Sequence, residues 1–384
     1  MNRVSHERGP GARCAVFDAY GQCDLLCINA RCLQIDYFTV HSKEIDSMND
    51  SSILTICVPT FNRAEHLQAS LKSILTQTER NFTLYVLDDA STDSTAEVVS
   101  SFNDARIRYV RHEKNRGLYG NMNYALNLPL AKYLAIYHDH DLYCPTIVSK
   151  SLTALMKNPC ASYVHTGLVT IADDGEVTSQ DVRKFAHVTS GPSFMKVIAG
   201  SWSSPVMAAT VMMRSDIFKH VGGFDDKFGL NCDADLWWEL GKYGSVLYLR
   251  EPLAKIRERT AGMATAKFRW ATVEKGTLMR EKHVLGSYRN NAFAWLRYIV
   301  GREYRLLVFQ LRALIKENPA VVSEGWEVIL RKGGTTTRVL VGAFQTFSVL
   351  RFLLKFVSFA WSQQVVFRRA WRRRMHAFAK DKFS

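Results

Sequence analysis

Paired cysteines are missing from this sequence of 384 residues. Four of its eight cysteines lie within the first 35 residues, at separations of nine, four and five positions, and these are Cys14, Cys23, Cys27 and Cys32. The pattern is neither the framework of a disulfide-rich secreted domain nor the Cys-x-x-Cys pair of a structural zinc site. We therefore expect a reduced, cytosolic setting.

Two common phosphate-binding motifs are also missing. No Gly-x-Gly-x-x-Gly run follows the first predicted strand, and the chain has no Gly-x-x-x-x-Gly-Lys-Ser/Thr run. These absences argue against a Rossmann site and a P-loop. A sugar nucleotidyltransferase, which should carry a glycine-rich basic loop after its first strand, is disfavoured for the same reason.

The amino terminus lacks a secretory signal, because residues 1–50 show no basic start followed by an apolar stretch. Met48 stands just before the first strong strand pattern. We expect residues 1–50 to be disordered or to lie outside the natural product.

The carboxyl terminus lacks acidic residues. Residues 331–384 contain twelve lysines and arginines against the single acid Asp381, within a chain whose net charge is +14. Arg351 and Lys355 interrupt every apolar run there, so no stretch is long enough to span a bilayer. Residues 339–362 predict a helix with a narrow polar stripe and a wide apolar face.

This basic segment predicts attraction to an anionic surface. We expect residues 339–384 to lie on a membrane interface, within a helical basic extension that covers residues 261–384. Packing against the main domain or another subunit is the alternative. Nucleic acid is not an expected partner, because the chain carries no recognised nucleic-acid-binding motif.

What the sequence does have is a regular alternation of apolar strands and amphipathic helices over residues 51–260. Strands are predicted at 53–58, 82–89, 107–110, 132–139, 162–171, 208–213 and 246–249. The pattern indicates an α/β fold with an open, mostly parallel sheet flanked by helices. Ligands bind such sheets beyond the carboxyl ends of the strands. Polar clusters at 59–63, 88–89 and 138–141 follow three strands and should meet at that edge.

The run His138-Asp139-His140-Asp141 is the most concentrated of these clusters. Two aspartates two positions apart, in a bend after a strand, can both reach one oxygen-seeking cation such as Mg²⁺ or Mn²⁺. The histidines leave zinc open as an alternative. Because strand side chains alternate between faces, we expect His138 and His140 to point away from the aspartates.

Four runs in order resemble the family 2 glycosyltransferases, which are inverting enzymes of the GT-A fold: VPTFNRAEHLQASLKSILTQT, YVLDDASTDST, NRGLYGNMNYAL and YLAIYHDHDLYCP. The resemblance covers residues 53–260. It implies that Asp139 and Asp141 hold the metal on the donor diphosphate. It also implies a nucleotide site formed by Pro59, Thr60, Phe61, Asn62, Asp89 and Asp139.

The run CDADLWWEL resembles the segment of that family that begins the acceptor-side helix. The resemblance implies that Asp233 is the catalytic base, although an aspartate there could also serve only to cap the helix. Cys232 stands where the family commonly has Glu. Four residues are implied as acceptor or phosphate contacts: Asp235, Trp237, Arg257 and Arg259.

The sequence thus predicts a metal-dependent, inverting glycosyltransferase that uses Mn²⁺ or Mg²⁺. Its donor would be a nucleotide-diphosphate sugar and its acceptor a hydroxyl of a glycan or lipid-linked molecule, in surface polysaccharide synthesis at the cytoplasmic face of the cell membrane. A catalytically inactive nucleotide-sugar-binding or scaffold protein is the main alternative.

Overall fold

The computed structural model of the protein describes residues 52–200, 204–258 and 270–288. Ten strands occur in these ranges: β1 (Leu54–Thr60), β2 (Phe82–Asp88), β3 (Ile107–Arg111), β4 (Tyr133–Ile136), β5 (Leu142–Tyr143), β6 (Ala161–Ile171), β7 (Val177–Asp181), β8 (Val188–Thr189), β9 (Met212–Arg214) and β10 (Ser245–Arg257). The strands form one sheet in the order β3-β2-β1-β4-β9-β6-β10-β5, with β7 paired to β6 and β8 to β10.

Eight α-helices accompany the sheet in the described ranges: α1 (Ala64–Leu75), α2 (Thr95–Ser100), α3 (Gly117–Asn123), α4 (Ile147–Lys157), α5 (Gly191–Gly200), α6 (Ser215–Val221), α7 (Cys232–Gly241) and α8 (Trp270–Tyr288). Short 3-10 helices cover Tyr124–Asn127, Ala208–Thr210 and Asp226–Asn231. None of the described helices is both long enough and apolar enough to cross a membrane.

The sheet has two halves that differ in strand direction. Strands β3, β2, β1 and β4 are all parallel. In the second half β9 runs antiparallel to both β4 and β6, and β10 runs parallel to β6. The predicted open α/β sheet flanked by helices is confirmed, and its mixed second half starts at β9.

Apolar side chains pack on both faces of the sheet. One core cluster joins β1, β2 and β4 to α1 and α4, through residues such as Leu67, Leu71 and Leu152. A second cluster on the other side joins the sheet to α3, α5, α6 and α7. It includes Trp237 of α7 and Met279 of α8. Burial on both faces explains why the parallel strands read as continuous apolar runs.

Three predicted strands differ most from the structure. The strand expected at 132–139 ends at Ile136, so the whole His-Asp run lies in the turn after it. The strand expected at 208–213 begins as a 3-10 helix, and only Met212–Arg214 pair with neighbours. The strand expected at 246–249 continues to Arg257, because irregular register with β6 lets it pass Pro252.

Other predictions lie largely outside the described residues. They concern residues 1–50, the segment 339–384 and the position Arg259. The domain boundary near 260 stays a prediction, although α8, which follows it, packs on the sheet-bearing unit through Met279.

Candidate active site

The carboxyl ends of β1 and β2 form the first part of the site. Asp89 is 2% exposed, and its carboxylate accepts a hydrogen bond from the backbone N–H of Arg116 at 2.7 Å. The Asp89 N–H donates to the Thr60 carbonyl at 2.9 Å, which ties the two strand ends together. The neighbouring Asp88 has other partners: its carboxylate accepts hydrogen bonds from the Ser91 N–H and the Tyr109 hydroxyl.

The loop after β1 carries the other predicted nucleotide contacts. Pro59 lies inside the strand opposite Leu87, whereas Phe61 is 45% exposed at the edge. The Thr60 hydroxyl oxygen is buried and has no hydrogen-bond partner among the described residues. Asn62 uses its side-chain oxygen to accept from Thr92 N–H at 2.7 Å, so this amide shapes the loop.

Two residues at this edge adopt the left-handed backbone conformation. Asn62 has φ of 50° directly beyond β1, and Ala90 has φ of 64° just beyond β2. Asparagine adopts this conformation readily, but alanine does so at a cost. Such strained positions cluster at ligand sites. Here Ala90 directly follows Asp89, and Asn62 lies two positions beyond Thr60, whose carbonyl accepts from the Asp89 N–H.

The turn after β4 brings two carboxylates and two imidazoles together. Asp139 is 5% exposed and Asp141 is fully buried. His140 Nδ1 lies 2.8 Å from Asp139 Oδ1, and His138 Nδ1 lies 2.9 Å from Asp141 Oδ2. The two rings stack with centroids 5.5 Å apart. The expectation that the histidines point away from the aspartates is wrong, because strand alternation stops at Ile136.

Arg257 at the end of β10 holds this turn in place. Its backbone N–H donates to Asp141 Oδ1 at 2.9 Å. Its guanidinium donates to the carbonyl oxygens of His140 at 3.2 Å and Asp173 at 2.6 Å. The resemblance implied a phosphate contact for Arg257, but in this structure its side chain is buried against backbone carbonyls.

Asp141 is held in its charged form. Burial by itself raises the pKa of this carboxyl, but the hydrogen bond and charge of His138, the charge of His140 and the Arg257 amide together lower the pKa from its ordinary value. A buried carboxylate that stays ionised is a suitable ligand for a cation.

The donor set of the turn fits a divalent cation. His138, His140 and Asp141 each offer a ligand atom within 4.8 Å of the others. Each carboxylate oxygen that accepts one hydrogen bond keeps a further lone pair. Asp139 adds a second carboxylate at the same turn. Asp141, His138 and His140 could therefore hold a metal ion together, and Asp139 lies beside them in contact with His140.

The acceptor-side residues lie on α7. Asp233 is partly exposed in the first turn of the helix, and its carboxylate accepts from Ala234 N–H at 2.7 Å. Asp235 is 2% exposed and contacts Lys282 and His283 of α8. Trp237 is buried against Tyr163 in the core, so it fills space and does not offer a sugar platform.

Sequence reasoning missed Lys282 and His283 altogether. They lie 47 and 48 positions from Asp235, inside a helix whose sequence matches no motif considered above. No local pattern signals such a pairing.

Comparisons with known proteins point to one family of enzymes. Residues 55–222 match the family described as glycosyl transferase family 2. The putative glycosyltransferase EpsE of Bacillus subtilis is 26% identical over 230 residues, which is 58% of this chain and 80% of that protein. An uncharacterized glycosyltransferase of Rickettsia conorii is 27% identical over 211 residues, but these are 55% of this chain and only 33% of the relative.

A third relative carries a more specific name. The UDP-Glc:alpha-D-GlcNAc-diphosphoundecaprenol beta-1,3-glucosyltransferase WfgD of Escherichia coli is 30% identical over 109 residues, 28% of this chain and 43% of that protein. Among solved structures, the mannosyltransferase PcManGT of Pyrobaculum calidifontis, in complex with GDP-Man and Mn2+, has a TM-score of 0.49 at 15% identity and covers 80% of this chain and 84% of its own.

The match over residues 55–222 includes β1, β2, β4 and the turn that bears Asp139 and Asp141. Over these residues the chain is similar to glycosyl transferase family 2, and its sheet is the open α/β sheet that the sequence predicted. The acceptor-side helix α7 and helix α8 both lie beyond the matched residues.

Proposed function

We propose that this domain, together with α7, transfers a sugar from a nucleoside-diphosphate sugar to a hydroxyl group of a glycan or lipid-linked acceptor, with inversion at the anomeric carbon. The observation that carries the proposal is the burial of Asp89, Asp139 and Asp141 along one edge of the sheet. Among the described residues, Asp139 and Asp141 form ion pairs only with histidines. Buried carboxylates without a lysine or arginine partner favour an added cation.

Each group then has a role in the donor complex. Asp89 and the exposed ring of Phe61 would contact the nucleoside part, next to the unpartnered hydroxyl of Thr60. Asp139 and Asp141 would bind Mn²⁺ or Mg²⁺. When bound there, the cation would offset the negative charge of the nucleoside diphosphate as it departs.

Asp233 is the proposed general base. Its partly exposed carboxylate would accept the proton of the acceptor hydroxyl as that oxygen bonds to the anomeric carbon. The bond between the anomeric carbon and the diphosphate oxygen breaks in the same step, and the nucleoside diphosphate leaves with its electron pair. A single base on the side opposite the leaving group produces inversion.

The acceptor class rests on the relatives. The E. coli enzyme is named for a diphosphoundecaprenol-linked acceptor, and its similarity supports a lipid-linked or polysaccharide acceptor for this chain. As part of the same proposal, residues 339–384 hold the enzyme at the anionic inner face of the membrane. The excess of lysine and arginine in that segment supports this placement.

Nucleotide binding is tested by thermal denaturation of the full-length protein with UDP, GDP, ADP and their sugar conjugates, with and without Mn²⁺. We expect one nucleotide to raise the Tm, and to do so more strongly with Mn²⁺, because a ligand that binds only the folded state stabilises it. Asp141→Asn should lose the Mn²⁺ effect, while the exposed control Asp216→Asn should keep it. Absence of any nucleotide effect in the presence of metal contradicts the proposal.

Turnover separates the enzyme from its alternative. The nucleotide-sugar that stabilises the protein is incubated with lipid-linked and glycan acceptors, and release of the nucleoside diphosphate is measured. Binding without transfer to any acceptor would identify a nucleotide-sugar-binding protein.

Vesicle sedimentation tests membrane binding by residues 339–384. Replacing Arg372, Arg373 and Arg374 by glutamine should weaken binding to anionic vesicles and leave binding to neutral vesicles unchanged.

A further inference from the structure

The helix α8 makes a buried polar contact with α7 next to the proposed base. Lys282 Nζ lies 3.0 Å from Asp235 Oδ1 and 3.0 Å from Glu239 Oε1. His283 Nε2 lies 2.6 Å from Asp235 Oδ1, and its ring stacks on Trp238 with centroids 4.6 Å apart. We call Asp235, Trp238, Glu239, Lys282 and His283 the helix-pair cluster.

The helix-pair cluster occupies one face of α7. Residues three and four positions apart share a helix face, so Asp235, Trp238 and Glu239 all point to α8. Asp233 precedes Asp235 by two positions, which places it about 200° around the helix. Contact with α8 therefore holds the helix from the side opposite Asp233 and leaves that carboxylate accessible.

A second contact holds the chain just before Asp233. Asn231 directly precedes α7, and its side-chain amide donates to the Thr272 carbonyl of α8 at 3.0 Å. Gly276 permits this approach, since a Cβ at that position would lie 2.9 Å from Asn231 Oδ1. Asp233 is thus bracketed by two contacts with α8, one through Asn231 and one through Asp235.

Lys282 places a positive charge between the two carboxylates of the cluster. Burial disfavours the ammonium of Lys282, but hydrogen bonds and the charges of Asp235 and Glu239 raise its pKa from the ordinary value. The ammonium therefore occupies the position between the two carboxylates that a metal ion would need. The geometry favours an ion-pair cluster, although Asp235, Glu239 and His283 also have ligand atoms within 4.8 Å of one another.

We propose that Asp235, Lys282 and His283 are positioning residues that fix α7 on α8 and thereby set the place of Asp233. The inference rests on the proposed function, because it takes Asp233 as the base. It extends the catalytic unit to α8, beyond the residues that match the family and into the extension that follows the sheet.

The test uses the full-length chain with Asp235→Asn and His283→Gln. Leu278→Gln is the matched control, because Leu278 lies on α8 and is 41% exposed. We expect the two cluster variants to keep the Tm shift with nucleotide and Mn²⁺ and a donor KM within about twofold of wild type. Their kcat should fall about 10- to 100-fold, since a small displacement of a catalytic group has effects of this size. Asp235→Glu, which keeps the carboxylate, should recover part of the loss.

The variant Gly276→Ala keeps the test decisive if the polar substitutions prevent folding. It removes no polar group and favours the helix itself, but its Cβ presses on Asn231. We expect kcat to fall while the Tm is maintained, a result that a loss of stability does not produce. Wild-type kcat in Gly276→Ala and in folded Asp235→Asn and His283→Gln would overturn the inference while leaving the proposed function intact.

Hydrogen exchange separates failure of the inference from failure of the proposed function. If wild-type protein neither binds nucleotide nor transfers sugar, the proposed function is wrong, and amide exchange over residues 231–241 then decides whether the helices are coupled. Faster exchange there in His283→Gln, but not in Leu278→Gln, supports the coupling, and unchanged exchange rejects it. Zn²⁺ that stabilises wild type but not His283→Gln would show a metal site and reject the ion-pair cluster.

Discussion

Two pairs of aspartates have the same spacing in the sequence but differ in burial and in the structural element that carries them. Asp139 and Asp141 follow a strand and are both buried in one turn, where histidines and a backbone amide contact them. Asp233 and Asp235 lie in the first turn of a helix, and there only Asp235 is buried.

The difference comes from the backbone. A turn after a strand can direct two carboxylates to one point, whereas a helix separates residues two positions apart by about 200°. Asp139 and Asp141, which we call the turn pair, can therefore share one ligand, such as a cation. In the helix pair, which is Asp233 and Asp235, the buried Asp235 contacts Lys282 and His283 of α8, and Asp233 is partly exposed on another side of α7. What an Asp-x-Asp motif can bind therefore depends on whether a turn or a helix carries it.

The largest expected effect is at the accessible member of the helix pair. Asp233→Asn should lower kcat about 10²- to 10⁴-fold, the range for loss of a general base, and should leave the Tm shift with nucleotide and Mn²⁺ unchanged. Asp226→Asn, an exposed acid in the preceding 3-10 helix, is the control. Transfer at the wild-type rate by Asp233→Asn would reduce this aspartate to a helix-capping role.

The next effect is at the buried member of the turn pair. Asp141→Asn should weaken Mn²⁺-dependent nucleotide binding more than about 100-fold, because changes in groups that only support a metal ligand already cost about 10- to 100-fold. Isothermal titration with the nucleotide at several Mn²⁺ concentrations measures this. Asp235→Asn should leave the Mn²⁺ dependence as in wild type. Equal losses in both variants would mean that the two pairs do not differ in the way described.

The sequence located the turn pair at the edge of the sheet but did not indicate what the helix pair contacts. Apolar runs located β1, β2 and β4, and the rule that ligands bind at carboxyl strand ends brought Asp89, Asp139 and Asp141 to one edge. The orientation of His138 was mispredicted because the strand pattern was extended beyond Ile136. Nothing local could show that the turn begins there and folds both imidazoles back on the aspartates.

Long-range pairing explains the rest of what was missed. Asp235 was expected to contact a ligand, but it pairs with Lys282 and His283, nearly fifty positions away. Arg257 was expected at the donor phosphates, but it reaches back to carbonyls of His140 and Asp173. In both cases residue type was a correct sign of a polar contact, and the partner depended on tertiary packing that periodicity does not encode.

A smaller effect is expected from the groups that orient the turn pair. His138→Gln removes the imidazole that contacts Asp141 Oδ2 and should weaken Mn²⁺-dependent nucleotide binding about 10- to 100-fold, as for other groups that orient metal ligands. His66→Gln is the control, because His66 is a half-buried histidine of α1 outside the turn. If His138→Gln abolishes metal binding as fully as Asp141→Asn does, His138 is itself a ligand.

The smallest effect is expected beside Asp233, at Cys232. Its thiol is fully buried and its Sγ lies 2.9 Å from the Asp225 carbonyl. Burial, followed by the nearby acids, raises the pKa of Cys232 to about 12, so the thiol is neutral at physiological pH and takes no proton from the acceptor. Cys232→Ser keeps a donor for the carbonyl, and its kcat should stay within about twofold of wild type.

Alkylation with iodoacetamide at pH 8 measures the same property directly. The thiolate is the reactive form, so exposed Cys160 should be modified while Cys232 is spared in the folded protein. The family commonly has a glutamate at position 232, and Cys232→Glu would bury a further charge among Asp225, Asp233 and Asp235. We expect it to lower the Tm without raising kcat. A gain in kcat would mean that the helix pair needs a third carboxylate and that Asp233 does not act alone.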